Sequence, residues 1–478
     1  MHSALVTDFY SLTMAQGYWL RHPGQEAVFE MFFRRQPFGG GFSVFAGLEP
    51  LLETLKDVSF SSGDIAYLES LNFFQKPFLD YLADFRFSGK LWSLDEGEIV
   101  FPQEPLIRVQ GSLIECQIIE GMLLNIINFQ SLIATKSARV WLASNKGSIM
   151  EFGLRRAQGP DGALSASRAA YIGGAGGTSN VLAGKEYGIP VMGTMAHSWV
   201  MSYASEEEAF RAYAGIYPEH PVFLIDTYDT LKSGIRNAVK VGKQLAAEGK
   251  NFGVRLDSGD VHYLSVEVRK ILDAEGFPKA TIAVSNDLDE SIIKTMTAAG
   301  APVDSWGVGT QLVTGGSEAS FTGVYKLTAT QDPGGEFIPA MKFSDNPEKT
   351  TNPGIKQVWR VKDNQGRALA DIMALDNAHD EVGAGSRHTF WHPSGDYRHF
   401  YWDGEGRPEA MLSLKMEGGK ICHSHPSLAF IKEKVRAGLE CFDNSYKRAL
   451  NPHIYKVSVT GHLRNLKLEL IKNHLGDL

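Results

Sequence analysis

The sequence predicts an α/β protein built around an irregular (β/α) barrel, with an N-terminal α/β unit and a loop-rich C-terminal appendage. Between residue 148 and about residue 327, short apolar runs alternate with polar clusters and amphipathic stretches of helical length. Strands and helices that alternate in this way form parallel sheets joined by crossover helices. Six such units fit a closed or nearly closed barrel better than an open sheet, which is the alternative architecture.

The repeating elements of the barrel follow one another along the chain. The apolar runs, which predict strands, span residues 149–154, 189–192, 222–225, 252–256, 281–284 and 305–308. The amphipathic stretches, which predict helices, include residues 205–217, 229–248, 261–275 and 289–299. We therefore expect the barrel to occupy residues 136–327.

The flanking segments differ from the barrel in character. Residues 91–109 are short apolar runs broken by Gly and Pro, and residues 114–143 carry apolar side chains at helical spacing. We expect an N-terminal α+β domain over residues 1–135 that ends in this helical connector. Beyond residue 327 the chain is rich in Asp, Asn, Pro and Gly, with a final helix near its end. We expect residues 328–478 to pack on the N-terminal domain as an appendage.

Composition and charge disfavour several classes of protein. The 478 residues include 47 basic and 55 acidic side chains, a formal charge of −8, which argues against nucleic-acid binding. Three cysteines are too few for a disulfide framework. No uncharged apolar run approaches the roughly 18 residues of a membrane span, and the N-terminus does not resemble a secretory leader. We expect a cytoplasmic protein with neither membrane nor nucleic-acid partners.

Polar residues follow the predicted strands of the barrel. Because the carboxyl ends of parallel strands face one mouth of a barrel, groups that are distant in sequence should converge there. The site is predicted by the whole set more strongly than by any one member. The candidates are Glu151, Arg155, Arg156, Thr194, His197, Asp226, Arg255, Asp257, Ser285, Asn286, Gly307, Gly309 and Thr310.

His197 is the candidate nucleophile or base. It follows one predicted strand, and Asp226 ends the next, so we expect the two side chains to be adjacent. A neighbouring carboxylate fixes the tautomer of an imidazole and stabilises a cation on it, which frees the other nitrogen for chemistry. Asp229 is a competing partner for the same ring.

Two further groups predict binding of phosphate and ribose. Arg255 and Asp257 leave their strand on one face, where a carboxylate suits ribose hydroxyls or Mg²⁺ and a guanidinium suits an anion or an aromatic ring. A salt bridge at the strand end is the alternative. Gly307, Gly309 and Thr310 lie at a strand-to-helix turn whose backbone amides could hold a phosphate. A tight turn that needs glycine explains this segment equally well.

Six short segments resemble those of the nicotinate phosphoribosyltransferase family. They occur in order between about residue 4 and about residue 327, and as a set they are highly specific. They read LVTDFY from Leu5, EFGLRRA from Glu151, GGTSNV from Gly176, GTMAHS from Gly193, DTYD from Asp226 and VRLDSGD from Val254. The segment from residue 328 onward is much less diagnostic.

The resemblance implies an ATP-dependent reaction of NAD salvage. Nicotinate and 5-phosphoribosyl 1-pyrophosphate would give nicotinate mononucleotide and pyrophosphate, with hydrolysis of ATP and with Mg²⁺. The family also implies a type II phosphoribosyltransferase barrel and a homodimer with shared active sites. No residue of this chain is assigned to the metal.

The resemblance also implies roles for individual residues. His197 would be the histidine that ATP phosphorylates and Asp226 its carboxylate partner. Arg255 would lie at the pyridine ring, and Asp257 would accept the ribose hydroxyls. The other expected contacts to substrate are the stacking ring of Tyr10 from the neighbouring subunit, the cation of Arg155, the 5′-phosphate loop of Gly307, Gly309 and Thr310, and the polar groups of Glu151, Arg156, Thr194, Ser285 and Asn286.

Several alternatives stay open. Nicotinamide-using relatives resemble the chain in the same segments but carry a small residue where Arg156 stands. We therefore expect Arg156, directly or through Glu151, to favour the acid, although a surface salt bridge is an equally good role for it. A quinolinate phosphoribosyltransferase would share the barrel but need more basic residues. A catalytically silent sensor would bind the same nucleotides without turnover.

A metal site near the C-terminus is also conceivable. It would be formed by Cys422, His423, His425 and Cys441. This sequence lacks the paired Cys-x-x-Cys spacing of structural zinc sites, so buried thiols and exposed histidines are the better interpretation.

Overall fold

The structure of the chain is a computed structural model that describes residues 3–344, 346, 349–383 and 385–475. The chain divides into two compact units. The first contains residues 1–132 and 320–478, and the second contains residues 133–319. No helix within the described ranges is long and apolar enough to cross a membrane.

The N-terminal part of the first unit combines helices with short strands. Its helices are α1 (Phe9–Arg21), α2 (Leu48–Asp57), α3 (Ser62–Ser70), α4 (Lys76–Ala83) and α5 (Leu113–Ile118). Its strands are β1 (Glu26–Phe33), β2 (Ser43–Val44), β3 (Lys90–Ser93), β4 (Ile99–Val100) and β5 (Ile107–Ser112). The predicted helical connector continues as α6 (Glu120–Ala143), which spans the point in the sequence where the two units meet.

The second unit contains the parallel sheet that the sequence predicts. Its strands are β6 (Ser148–Glu151), β7 (Gly177–Thr178), β8 (Val222–Leu224), β9 (Gly253–Leu256), β10 (Thr281–Ser285) and β11 (Ser305–Val308). They lie in the order β7-β6-β11-β10-β9-β8, and every neighbouring pair is parallel. The side chains of Phe223, Val254 and Ile282 are fully buried. The α/β class is thereby confirmed.

Helices alternate with these strands, and polar side chains cap several of them. They are α7 (Gly159–Gly173), α8 (Val181–Tyr187), α9 (His197–Met201), α10 (Glu206–Ile216), α11 (Ile235–Ala247), α12 (Val261–Ala274), α13 (Glu290–Ala298) and α14 (Thr310–Val313). Ser205, Asp260 and Asp289 each accept a hydrogen bond from a backbone N–H in the first turn of α10, α12 and α13. These caps satisfy amides that have no partner inside a helix, so they fix where each helix begins.

The C-terminal part of the first unit is richer in strands than the sequence predicts. Its strands are β12 (Gly323–Gln331), β13 (Phe337–Pro339), β14 (Lys356–Lys362), β15 (Ala368–Leu375), β16 (His388–His392), β17 (Gly395–Trp402), β18 (Glu409–Ala410), β19 (Ser413–Glu417), β20 (Lys420–Ile421) and β21 (Val457–Val459). Its helices are α15 (Leu428–Glu440) and α16 (Gly461–Leu475).

Two sheets organise the first unit. In the seven-stranded sheet, β12 pairs with β1 and β19 pairs with β3, so the two ends of the chain share one antiparallel sheet. A second, six-stranded sheet has the order β17-β16-β21-β15-β14-β18. Its buried face includes Val361, Ile372, Phe390 and Trp402.

Candidate active site

A cleft of about 450 Å³ opens at the carboxyl ends of the parallel strands of the second unit. It brings together most of the residues that the sequence singled out, from four strands and the loop before α9. The predicted residues that line it are Arg155, Arg156, Thr194, Arg255, Asp257, Ser285, Asn286, Gly307, Gly309 and Thr310. Convergence of distant groups at one mouth therefore follows from the parallel order of the strands.

Arg255 and Asp257 form the polar wall contributed by β9. The Arg255 guanidinium donates to Oγ1 of Thr194 at 2.7 Å and to the backbone oxygen of Met195 at 3.3 Å. Its Nη2 also lies 3.6 Å from Oδ2 of Asp257. The other carboxylate oxygen of Asp257 accepts from Oγ of Ser285 at 2.5 Å. Both charged groups are thus held in place by neighbours while they still face the cleft.

His197 begins α9 beside this wall. Its Nδ1 is 3.2 Å from Oγ1 of Thr227, and its Nε2 is 3.7 Å from Oδ2 of Asp257. The sequence predicts Asp226 as the acidic neighbour of the ring. In the structure Asp226 accepts from the backbone N–H of Asp257 at 2.8 Å and from Oγ of Ser258 at 2.6 Å. Asp226 therefore positions the β9 loop, and Asp257 is the carboxylate that the ring faces.

Asp229, the second candidate partner of His197, is engaged elsewhere. Its Oδ1 accepts from the backbone N–H groups of Leu231 and Lys232, at 3.2 and 2.9 Å. These bonds cap the short π-helical turn from Thr230 to Gly234. The capping bonds, with Lys232 nearby, also hold the pKa of the Asp229 carboxyl below its ordinary value.

Glu151 lies behind the cleft and is completely buried. Its carboxylate accepts hydrogen bonds from the hydroxyls of Ser167 and Thr178, at 2.9 and 2.5 Å, and from the backbone N–H of Gly153. A buried carboxylate needs such partners because desolvation is costly. These contacts join β6, α7 and β7 below the loop that carries Arg155 and Arg156, which makes Glu151 a support for that loop.

The glycines of the site are required by close packing. A Cβ atom on Gly307 would lie 2.7 Å from the Phe152 ring and 3.1 Å from Cβ of Ser285. A Cβ on Gly153 would collide with Val313 of α14. Glycine at these two positions allows the Arg155 loop and the Gly309 turn to approach each other across β6 and β11.

Asn286 has an unusual backbone conformation, with φ at +137°. A residue with a side chain rarely adopts this region, and such outliers persist where the surrounding structure imposes them. The conformation occurs at the end of β10, where Ser285, Asn286 and Asp287 all line the cleft. It places three consecutive polar residues at one wall.

Sequence reasoning missed several residues of the cleft. Most of them adjoin residues that were predicted, so extending each motif by one or two positions would have found them, whereas Ser179 lies in the GGTSNV segment. They are Phe152, Leu154, Ser179, Gly193, Met195 and Ala196.

Tyr10 belongs to the first unit, on α1, and its side chain is half exposed. Partial burial and the nearby Glu120 carboxylate raise its pKa above the ordinary value.

A buried ion cluster stabilises the second unit away from the cleft. Lys136 Nζ lies 2.6 Å from one Glu290 oxygen, and Arg139 Nε donates to the other at 2.9 Å. All three side chains are at most 9% exposed. Burial opposes ionisation of Glu290, but the two cations together hold the pKa of its carboxyl below the ordinary value. The cluster ties α13, which follows the Asn286 loop, to α6.

Cys422, His423, His425 and Cys441, the alternative zinc ligands, do not form a group that could hold one ion. Among the described residues, no three His, Cys, Asp or Glu side chains are grouped so that they could hold one ion. His423 and His425 face each other with ring centres 4.9 Å apart, and Nε2 of His425 lies 3.6 Å from a Glu53 oxygen. Cys422 is exposed and Cys441 is partly buried.

Comparisons with known proteins identify the same family in each part of the chain that they match. Three family models match, each described as part of nicotinate phosphoribosyltransferase: the N-terminal domain over residues 5–128, the family model over residues 148–370 and the C-terminal domain over residues 355–467. The nicotinate phosphoribosyltransferase of Bacillus subtilis is 40% identical over 475 residues, covering 98% of this chain and 95% of that protein. This chain belongs to the nicotinate phosphoribosyltransferase family. The expected resemblance is confirmed.

Other members of the family support the same assignment. The human nicotinate phosphoribosyltransferase is 34% identical, covering 97% of this chain and 95% of that protein. The crystal structure of human nicotinic acid phosphoribosyltransferase superposes with a TM-score of 0.85, covering 97% of this chain and 99% of that one. A nicotinate-nucleotide pyrophosphorylase structure from Pyrococcus furiosus has a TM-score of 0.70 at 22% identity, which indicates a shared fold. The type II phosphoribosyltransferase fold is confirmed.

Proposed function

We propose that this protein transfers a 5-phosphoribosyl group from 5-phosphoribosyl 1-pyrophosphate to nicotinate, releasing pyrophosphate. The main support for the proposal is the set of side chains that line the cleft, in a chain that belongs to this family. Three arginines, Arg155, Arg156 and Arg255, share one cavity with the Asp257 carboxylate and the Gly307 to Thr310 turn. The substrates carry a carboxylate, a phosphate and a diphosphate, and the cavity offers cations for anions and a carboxylate for ribose hydroxyls.

The charges of the cleft suit the bond that breaks. When pyrophosphate leaves C1 of the ribose, positive charge develops on the sugar and negative charge on the leaving group, while the pyridine nitrogen forms the new bond. Groups that are already oriented toward these charges lower the barrier, because they need not reorganise during the reaction. We assign the Arg155 guanidinium to the leaving diphosphate, and Arg156 and Arg255 to the nicotinate. The turn formed by Gly307, Gly309 and Thr310 would bind the 5′-phosphate. Asp257 would accept the ribose hydroxyls.

We propose that ATP acts through His197. One imidazole nitrogen would attack the γ-phosphorus, the bond to the bridging oxygen would break, and ADP would leave. Water would later release the phosphoryl group as inorganic phosphate. The contacts of the ring support this assignment, because Thr227 lies against Nδ1 while Nε2 points toward Asp257 and the cleft wall. A phosphorylated ring would bring negative charge and acceptor oxygens to this wall.

We propose that Mg²⁺ binds in the cleft as an ion shared with substrate. Mg²⁺ in phosphate-transfer sites is bound by one or two carboxylates together with substrate phosphates. Asp257 and Asp287 line the cleft and could supply the carboxylates. The ion would neutralise negative charge on the diphosphate.

We propose a homodimer that shares its active sites, with Tyr10 stacking on the pyridine ring of the partner's substrate. An exposed aromatic surface at α1 supports this, since Phe9, Tyr10 and Phe73 are each about half exposed and the rings of Phe9 and Phe73 are 5.1 Å apart. Exposed apolar surface of this kind is typical of interfaces. We also propose that the product feeds NAD salvage in the cytoplasm.

The substrate is tested by turnover of purified full-length protein. We expect pyrophosphate release with nicotinate, 5-phosphoribosyl 1-pyrophosphate, ATP and Mg²⁺, and little release when nicotinamide or quinolinate replaces nicotinate. Asp257→Asn should lower kcat/KM at least about 100-fold, as expected for loss of a group that stabilises developing charge. Asp273→Asn on the exposed side of α12 is the matched control and should have little effect. Preference for another pyridine would reject the proposed substrate, and binding of nucleotide without pyrophosphate release would identify a sensor.

A further inference from the structure

We propose that a second pocket, in the first unit, binds a small organic phosphate. The pocket has a volume of about 220 Å³ and lies between α16 and the turn that joins β16 to β17. All of its lining residues belong to the first unit, so it is a cavity of its own. The transferase reaction proposed above assigns no role to it.

Two cations of α16 line the pocket. Arg464 and Lys467 are three residues apart and therefore occupy one face of the helix. The Arg464 guanidinium lies 5.6 Å from the centre of the Trp391 ring. Lys467 Nζ donates to the backbone oxygen of Pro393 at 2.7 Å and to Oδ1 of Asn352 at 3.0 Å. Both side chains are therefore anchored against the turn, which reduces the entropy cost of binding an anion.

His392 adds a third donor to the same pocket. The backbone N–H of Ser394 donates to its Nδ1 at 3.1 Å, so the proton of the neutral ring resides on Nε2. Burial and the positive charges of Arg398 and Lys467 lower the pKa of His392 below its ordinary value. The field around the ring is thus positive, and the Nε2–H of the ring can donate a hydrogen bond to an anion in the pocket.

The remainder of the wall favours an anion with a small organic body. No Asp or Glu occurs among the described residues that line the pocket. Glu381, near the start of α16, is engaged by His462, through its backbone N–H at 3.1 Å and its ring at 3.3 Å. Leu463, Leu468 and Ile471 cover one side of the cavity with apolar surface.

Phosphate fits this combination better than a carboxylate does. A guanidinium, an ammonium and an imidazole N–H can each bond a different oxygen of a phosphate group. The apolar wall would pack against the carbon atoms of the ester. The volume is below the usual 300–1,000 Å³ of drug-sized sites, so the ligand class is a compact phosphomonoester of sugar-phosphate size.

Equilibrium dialysis of the full-length protein with labelled inorganic phosphate and with labelled ribose 5-phosphate tests this. The cleft should also bind phosphate, so each site needs its own variant. Ser394→Asp puts a carboxylate at the pocket, and Thr310→Asp puts one at the Gly309 turn of the cleft. Ser394→Asn and Thr310→Asn are the neutral controls.

We expect each Asp variant to bind one phosphate fewer per chain than the unmodified protein, and the neutral controls to bind as many as it does. Ribose 5-phosphate should bind the pocket at least threefold more tightly than inorganic phosphate, because of the apolar wall. If Ser394→Asp binds as many phosphates as the unmodified protein, the pocket is not a phosphate site. If Thr310→Asp has no effect while Ser394→Asp loses one phosphate, the phosphate loop of the proposed transferase fails while the pocket stands.

A second pair of variants tests whether affinity depends on a charge inside the pocket or on the overall charge of α16. Lys467→Met should lower affinity for ribose 5-phosphate at the pocket at least tenfold. Lys472→Met removes a charge from the same helix outside the cavity and should change it less than twofold. Equal effects of the two substitutions would mean that only the overall charge of α16 attracts the anion, and would overturn the proposed pocket.

Discussion

Thr227 is the side chain that we expect to orient His197 for chemistry. Its hydroxyl lies 3.2 Å from Nδ1, which leaves Nε2 toward Asp257. Thr227→Val keeps the shape and removes the hydrogen bond, whose net value of about 1 kcal/mol corresponds to about a fivefold change in rate. We therefore expect formation of phosphohistidine from ATP to slow about fivefold in Thr227→Val, measured by rapid quench.

Thr227→Ser is the control for this prediction, because it keeps the hydroxyl and should keep most of the rate. A general loss of packing would slow both variants equally. In that case Thr227 would have only a structural role.

Arg156 is expected to select the acid over the amide. It lines the cleft on the loop after β6, and pairing with a cation stabilises the nicotinate carboxylate as it leaves water. We predict that Arg156→Ala lowers the ratio of kcat/KM for nicotinate to that for nicotinamide at least about tenfold, in line with a charge-assisted hydrogen bond of 1.5–3 kcal/mol. Arg156→Lys keeps the charge and should retain more of the preference. An unchanged ratio in Arg156→Ala would leave Arg156 with only a surface role.

The sequence identified most side chains of the cleft but not their pairings. Strand ends of a parallel sheet must converge, and this predicts that Arg255, Asp257 and Ser285 lie together. It does not predict which of two carboxylates on adjacent strand ends faces His197. The choice between the two carboxylates depends on the loop after β9. In this loop the backbone N–H of Asp257 and the hydroxyl of Ser258 both donate hydrogen bonds to Asp226.

The packing of α13 against α6 depends on the buried cluster around Glu290. Removing one member of a buried ion cluster leaves charge without compensation, which typically costs about 3–5 kcal/mol. We expect Glu290→Gln to lower the free energy of unfolding by about 3 kcal/mol, measured by denaturant unfolding.

Glu267→Gln provides the matched comparison for this element. Glu267 pairs with Lys270 at 2.7 Å on the exposed surface of α12, where an ion pair contributes about 0–1 kcal/mol. Similar losses in the two variants would show that the buried cluster stabilises the unit no more than a surface pair does.

Strands and helices of the barrel were predictable where their local patterns were strong. The strand over residues 305–308 occurs as predicted, and the predicted helix over residues 261–275 occurs as α12. The predicted strand over residues 189–192 is wrong, since only Val191 forms an isolated bridge, to Thr178. The neighbouring strand β7 is only two residues long, so the apolar run over residues 189–192 has few backbone groups to pair with. That short partner lies in a Gly-rich segment that carries no strand pattern.

At the scale of the whole chain, pairing between distant segments was harder to predict than the barrel. The sequence predicts domains over residues 1–135, 136–327 and 328–478, and this division stays a prediction. The sheet pairs β1 with β12 and β3 with β19, contacts between residues about 300 positions apart. Periodicity reports only local structure, so it underestimates the strands after residue 327.

The pH dependence of stability should reflect one buried acid of the first unit. Burial and the adjacent Asp371 carboxylate raise the pKa of Glu104 well above its ordinary value. The positive charge of Arg360 lowers this pKa, but by less. Glu104 thus keeps its proton in the folded state after the unfolded chain has lost it. Its contribution to stability is complete below the unfolded pKa and is lost as pH rises toward the folded pKa.

Glu104→Gln imitates the protonated acid and should remove this loss. We expect the variant to gain stability relative to the unmodified protein between pH 5 and pH 8, measured as the thermal midpoint at each pH. Glu409→Gln, at an exposed pair with Lys362, is the control and should show no such gain. A constant difference between Glu104→Gln and the unmodified protein at all pH values would mean that Glu104 does not titrate with folding.

The most direct test of the proposed mechanism is to locate the phosphoryl group during turnover. Full-length protein is incubated with γ-labelled ATP and digested, and the acid-labile, base-stable label is mapped by peptide. We expect the label on His197, and none in a folded His197→Asn variant that still binds nicotinate mononucleotide. Label on another residue, or ATP-stimulated turnover at an unchanged rate in His197→Asn, would contradict the assignment of this imidazole as the phosphoryl acceptor.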